Sequence, residues 1–102
     1  MKLLTRKEEM VLLAIYHKEG KSSLVEVREY LKEFTSSNMQ ISTIHAVLDR
    51  LEKSGFLKSF TGVPTSKRGG KAVKFYEFSK KGKEALAELK AVNEILWKGV
   101  NV

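Results

Sequence analysis

Lysine and arginine side chains that could bind phosphate are concentrated in one quarter of the chain. Residues 58–83 hold eight basic residues and one acid, Glu77, whereas the rest of the chain holds 11 basic and 11 acidic residues. The formal net charge of +7 therefore arises from this segment. Affinity for a polyanion grows with the number of phosphates neutralised, so the segment is a candidate polyanion-binding surface. A solvated, solubilising loop would have the same composition.

Residues for other kinds of chemistry are sparse. The chain has no cysteine, and neither His17 nor His45 has a second ligand at metal spacing. Gly69-Gly70 lacks the spacing of a phosphate-binding P-loop, and no serine has a general base in a recognisable arrangement. We therefore expect no enzyme, no catalytic residue, no metal and no cofactor.

The composition indicates one small domain. The chain has 102 residues, of which 42% are hydrophobic. No apolar run approaches the ~18 residues of a membrane span, and charged residues at positions 6–9 argue against a signal peptide. Together with the lack of cysteine, these features predict a cytoplasmic protein without membrane contact.

Three helices are predicted before the basic segment. Two capping boxes, Thr5–Glu8 and Ser23–Glu26, begin the first two helices, and Gly20 ends the first. The third helix begins at Ser42 or Thr43 and ends at Gly55. Its buried stripe has helical spacing and comprises Ile44, Val47, Leu48 and Leu51. Between helices two and three, residues 36–38 form a turn and residues 39–41 are a candidate short strand.

A hairpin and a long helix are predicted after the third helix. The runs 56–63 and 72–78 are β-like, and the loop between them is polar, basic and rich in glycine. Ser79 caps a last helix of about 18 residues. Helices two and three form a helix-turn-helix, and the basic hairpin that follows makes it a winged helix. The predicted fold class is mainly α with a small β-hairpin wing, divided into a winged helix domain, 1–79, and a C-terminal helix, 80–102.

Three sequence segments resemble the PadR-like family of bacterial transcriptional regulators. These are LTRKEEMVLLAIY (4–16), LDRLEKSGFLKS (48–59) and GVPTSKRGGKAVKFYEFSKKG (62–82), and the resemblance covers roughly residues 4–90. The resemblance implies a sequence-specific regulator of transcription that binds double-stranded DNA, most often as a repressor. A winged-helix module for protein interaction, without specific DNA binding, is the alternative.

The candidate DNA contacts lie on the third helix and the wing. The N-terminal residues of a recognition helix are nearest to base edges, which makes Ser42, Thr43, His45 and Ala46 the candidates there; a solvent-facing helix side is the alternative. Arg50 either contacts phosphate or braces the wing. The wing candidates for phosphate or minor-groove contact are Lys67, Arg68, Lys71 and, farther from the tip, Lys74.

The protein is predicted to form a homodimer through its last helix. The apolar stripe of this helix has a spacing close to that of a coiled coil and comprises Ala85, Leu89, Val92, Leu96 and Trp97. The resemblance is to the short branch of the family, in which this helix dimerises. It also implies a small aromatic or hydrophobic effector that would stack on Trp97. The favoured alternative is that Trp97 only anchors the dimer core.

Overall fold

The computed structural model describes residues 4–62 and 72–102, which form four helices and a three-stranded sheet within an envelope of 53 × 28 × 23 Å. In chain order the elements are α1 (Arg6–His17), β1 (Lys21–Ser23), α2 (Leu24–Thr35), α3 (Ile41–Lys53), β2 (Leu57–Gly62), β3 (Val73–Phe78) and α4 (Lys80–Trp97).

The centre of the molecule is α1. Its residues Val11, Leu12, Ala14 and Ile15 are fully buried, since α2, α3, the sheet and α4 all contact this helix. Both predicted capping boxes are present: the Thr5 hydroxyl accepts from the Glu8 amide, and the Ser23 hydroxyl accepts from the Glu26 amide. Local sequence thus determines where α1 and α2 begin.

The third helix presents the predicted stripe to the core. Ile44, Val47, Leu48 and Leu51 are at most 2% exposed, and each such side chain contributes about 1.5–3 kcal/mol through burial. The helix begins at Ile41, earlier than Ser42 or Thr43, so the strand predicted for residues 39–41 is wrong. A short apolar run beside a turn does not distinguish a strand from the start of a helix.

Strand β1, which adds a third strand to the predicted hairpin, was not predicted from the sequence. The strand order is β1-β3-β2 and both pairings are antiparallel, with Ser22 opposite Tyr76 and Ser59 also opposite Tyr76. Strand β1 has only three residues, and its last residue, Ser23, also caps α2. A segment this short has too little alternation to be recognised as a strand.

The fourth helix extends from the end of the hairpin. The Ser79 hydroxyl accepts from the Gly82 amide at 3.0 Å and caps it, as predicted. The helix contacts α1 and β3, with Leu86 packed against the core and Leu89 buried, whereas Ile95, Leu96 and Trp97 near its end are exposed. The predicted fold class, a mainly helical winged helix with a long last helix, is confirmed.

Candidate nucleic-acid interface

The first two turns of α3 carry a polar, outward-facing surface. Ser42, His45 and Ala46 are exposed and Thr43 is half-buried, while the other side of the same turns is fixed in the core by Ile44. The sequence ISTIHA over residues 41–46 contains no acidic side chain. The fold therefore displays all four predicted recognition residues together on one end of a rigid helix.

Acidic side chains occur only farther along α3, where lysines pair with them. Asp49 Oδ2 lies 3.0 Å from Lys53 Nζ, one helical turn farther along α3. The hydrogen bond from Lys53 holds the pKa of Asp49 below its ordinary value, so this carboxylate stays ionised at neutral pH. Lys53 compensates the negative charge locally, which lessens its repulsion of a phosphate backbone.

Among the described residues, Arg50 binds α1 through Glu8. Its Nε donates to Glu8 Oε2 at 3.0 Å, and about half of the arginine side chain remains exposed. Burial alone would raise the pKa of Glu8, but hydrogen bonds from the Thr5 amide and Arg50 outweigh it and lower that pKa. The exposed part of the guanidinium is still accessible to a phosphate, and both alternatives for Arg50, a phosphate contact and a contact with the wing, stay predictions.

A three-residue network connects α3 to the wing stem, by which we mean strands β2 and β3. The Glu52 carboxylate accepts a hydrogen bond from the Ser59 hydroxyl, and its other oxygen lies 3.4 Å from Lys74 Nζ. Lys74 Nζ also lies 5.2 Å from the centroid of the Tyr76 ring. Lys74, a predicted DNA contact, therefore forms an ion pair with Glu52 of α3. This carboxylate partly neutralises the lysine charge.

Aromatic side chains stiffen the outer end of the wing stem. The Phe60 and Phe75 rings stack with their centroids 5.6 Å apart. Gly62 lies beneath them, and a Cβ atom there would come within 2.7 Å of the Phe75 ring. Glycine at position 62 therefore lets β2 continue under the ring. The wing-tip candidates Lys67, Arg68 and Lys71 lie outside the described residues.

The predicted dimerisation residues divide into two groups. Leu89 is only 7% exposed, and Ala85 and Val92 are half-buried, so this part of the stripe already packs against its own chain. Leu96 and Trp97 are 67% and 59% exposed. Beside them, a groove of about 670 Å³ runs between α1 and α4, lined by Leu13, Tyr16, Leu86, Trp97 and their neighbours.

The described residues meet the requirements of neither a metal site nor a membrane-spanning helix. Within residues 4–62 and 72–102, no group of three histidine, aspartate or glutamate side chains is placed to hold a metal ion. No helix in the same part of the chain combines the length and apolar character needed to cross a membrane.

Three residues that organise this surface were not among the predicted contacts. Glu8, Glu52 and Lys81 each bind a residue far away in sequence or on another element. The capping box identified Glu8 only as part of a helix start, and Glu52 lies in the segment 48–59, for which no role of this glutamate was predicted. Partners on different elements become apparent only once the helices are packed.

The helix-turn-helix, the hairpin and their packing define a winged helix. No protein-family model matches the sequence, and no curated protein matches it either. Solved structures do match. A PadR family transcription regulator from Clostridium difficile is 21% identical, with 92% of each chain covered and a TM-score of 0.74.

Two further structures are informative. A PadR-like transcription factor from Bacteroides fragilis is 25% identical over 90% of this chain and 82% of that chain, with a TM-score of 0.73. PadR from Bacillus subtilis, solved in complex with operator DNA, is 23% identical, with a TM-score of 0.65. The match covers 82% of this chain but only 45% of that PadR chain. The resemblance to PadR-like regulators is thus confirmed at the level of the fold.

Proposed function

We propose that this protein is a PadR-like transcriptional regulator that binds double-stranded DNA sequence-specifically as a homodimer and acts as a repressor. The observation that carries the proposal is the exposed polar end of α3, where Ser42, Thr43, His45 and Ala46 face outward from a helix fixed in the core. A helix presented in this way fits the major groove of B-DNA, and its first residues can read base edges.

Charge supports DNA as the partner. The excess positive charge of the chain lies in residues 58–83, which begin in β2 and continue through the wing into α4. Asp49 and Glu52, the acids in the later turns of α3, pair with Lys53 and Lys74. The acids of α3 are paired and the neighbouring hairpin is basic. The approach of α3 to the phosphates of DNA is therefore electrostatically favourable. RNA is a poorer fit because its deep major groove excludes a helix.

The exposed apolar surface supports a homodimer. Ile95, Leu96 and Trp97 at the end of α4 are exposed, and Trp97 lines the groove together with Leu13 and Tyr16 of α1. Several large apolar side chains exposed on one short segment are typical of an interface. We propose that Trp97 of a second copy covers this surface. Two recognition helices would then enter successive major grooves about one turn apart, and the bound dimer would block transcription sterically.

The same groove is where a small aromatic or hydrophobic effector would bind. Leu13, Tyr16 and Trp97 offer apolar and aromatic surface for stacking. Such a ligand would compete with, or add to, the contacts of the second subunit.

As a regulator of genomic DNA, the protein would act in the cytoplasm.

Selection of genomic fragments by the purified protein tests the proposal. Binding of a selected fragment is measured by fluorescence anisotropy from low to high salt, with a scrambled duplex of equal length and composition as the control. If the dimer neutralises roughly 6–10 phosphates, log K falls with log salt at a slope of about −5 to −9. The selected fragment should bind more tightly than the scrambled duplex at every salt concentration.

Two results would contradict the proposal. Equal affinity for the selected and scrambled duplexes would leave only non-specific binding. No binding at ~100 mM salt, together with a protein that co-purifies in stoichiometric amount, would establish the protein-interaction module instead.

A further inference from the structure

The residues after α3 and the start of α4 are joined directly, although Gly55 and Ser79 are 24 positions apart in the sequence. The Ser79 hydroxyl donates to the Gly55 carbonyl at 2.6 Å and accepts from the Gly82 amide at 3.0 Å. The Ser79 amide donates to the Phe56 carbonyl at 3.2 Å. Ser79 is buried, so these hydrogen bonds are shielded from water.

Lys81 adds a charged contact to the same junction. Its Nζ donates to the Ser54 carbonyl at 2.9 Å and lies 5.0 Å from the centroid of the Phe56 ring. A lysine in the first turn of α4 is unfavourable for the dipole of α4 itself. At the end of α3, however, a cation is favourable, because the last carbonyls of a helix carry partial negative charge.

Gly82 lets the two elements approach each other closely. A Cβ atom at position 82 would lie 2.1 Å from the Phe56 carbonyl oxygen, which is a backbone atom. Glycine within a helix costs about 1 kcal/mol relative to alanine, so its presence in the first turn of α4 has a structural reason here. Any side chain would separate α4 from the residues that follow α3.

We infer that Ser79, Lys81 and Gly82 are positioning residues that fix the direction of α4 relative to the recognition helix. We call these three residues, with Ser54, Gly55 and Phe56, the α3–α4 clasp. The inference rests on the proposed function: if α4 holds the dimer together, the clasp sets the distance and angle between the two recognition helices. It thereby selects operators by the spacing of their half-sites.

Spacing preference separates positioning from mere stability. The variants are Lys81→Met, which keeps the aliphatic stem but not the hydrogen bond, and Lys81→Arg, which restores a donor. Lys80→Met is the matched control, because it removes the same charge from an exposed neighbour. Each protein is titrated with the selected operator, with operators lengthened or shortened by one or two base pairs between half-sites, and with an isolated half-site.

The expected result is a loss of discrimination. Changing the spacing should weaken binding of the unmutated protein by about tenfold, because both half-sites no longer engage together. In Lys81→Met, the same change of spacing should weaken binding by only about threefold. The affinity of Lys81→Met for the isolated half-site should equal that of Lys80→Met. Lys81→Arg should restore the discrimination between spacings. An unchanged spacing profile, or a uniform loss on every duplex including the half-site, would overturn the inference.

A measurement without DNA distinguishes failure of the clasp from failure of the proposed function. The chain has no cysteine, so spin labels can be attached at Ala46→Cys on α3 and Ala91→Cys on α4, both exposed positions. With labelled chains diluted in unlabelled protein, the distance distribution should be narrow, broaden in Lys81→Met and shift in Gly82→Ala. Distributions identical to that of Lys80→Met would overturn the clasp even if DNA binding is confirmed.

Discussion

Glu8 both caps α1 and forms an ion pair with Arg50, and substitution by glutamine distinguishes the two roles. One carboxylate oxygen accepts from the Thr5 amide at 2.7 Å and completes the capping box, and the other accepts from Arg50 at 3.0 Å. Glutamine also completes a capping box but carries no charge. We expect Glu8→Gln to lower the free energy of unfolding by about 0.5–1 kcal/mol and Glu8→Ala by about 1–2 kcal/mol, as measured by urea denaturation at pH 7.

The ion pair also gives stability a pH dependence of known sign. Because the pKa of Glu8 is lower in the folded protein, its contribution is complete above the unfolded value and is lost as the pH falls through the folded one. The unmutated protein should therefore lose its advantage over Glu8→Gln below about pH 4. If the difference between the two proteins is the same at pH 7 and pH 3, the ion pair with Arg50 contributes nothing.

Thr43 and His45 are expected to read bases. Thr43→Val removes a hydroxyl with little change in shape, and His45→Ala removes a ring from the exposed side of α3. Each should change the preferred sequence at one or two base pairs, at a cost of about 1–3 kcal/mol. Selection from a random duplex library measures the preference, with His17→Ala as the control. If all three variants and the unmutated protein prefer the same base sequence, Thr43 and His45 do not read bases.

The helices were predictable because their determinants are local. Thr5 and Ser23 cap α1 and α2, and the spacing of Ile44, Val47 and Leu51 sets the buried side of α3. Non-local determinants were not predictable. Strand β1 exists because β3 pairs with it, and Leu89 is buried because of how α4 packs on its own chain. The polar end of α3 was predicted as a site, whereas the partners of Arg50 and Lys74 required the packed structure.

The wing should contribute affinity without sequence preference. Changing Lys67, Arg68 and Lys71 together to alanine removes three positive charges from the predicted hairpin tip. Because phosphate contacts carry no base information, specific and non-specific duplexes should lose affinity by similar factors, and the salt slope should become shallower. The matched control changes Lys7, Lys18 and Lys32, which are exposed on or beside α1 and α2. Selective loss on one sequence would instead assign base readout to the wing.

The dimer can be tested at the exposed end of α4. Leu96→Lys combined with Trp97→Lys should give folded monomers, because both side chains are exposed in a single chain. Sedimentation velocity at micromolar concentration measures the change, and the monomers should bind the operator far more weakly, since each half-site then binds alone. Val25→Lys with Phe34→Lys, an exposed apolar pair on α2, is the control and should leave the dimer intact.

Leu89 is unsuitable for that experiment. It is 7% exposed within one chain, so Leu89→Lys should destabilise the monomer by at least about 2 kcal/mol as well as any interface. Sedimentation of the unmutated protein as a monomer would contradict the dimer directly. A double variant at positions 96 and 97 that still dimerises would locate the interface elsewhere.

The position of β1 in the sheet has a consequence for the order in which the protein folds. Lys21 pairs with Glu77, so about half of the chain lies between the two partners. Helices form from local contacts in microseconds, whereas a pairing over this distance requires the intervening chain to lose entropy first. We therefore expect non-local contacts such as the β1–β3 pairing, and not the formation of the helices, to limit the folding rate of this domain.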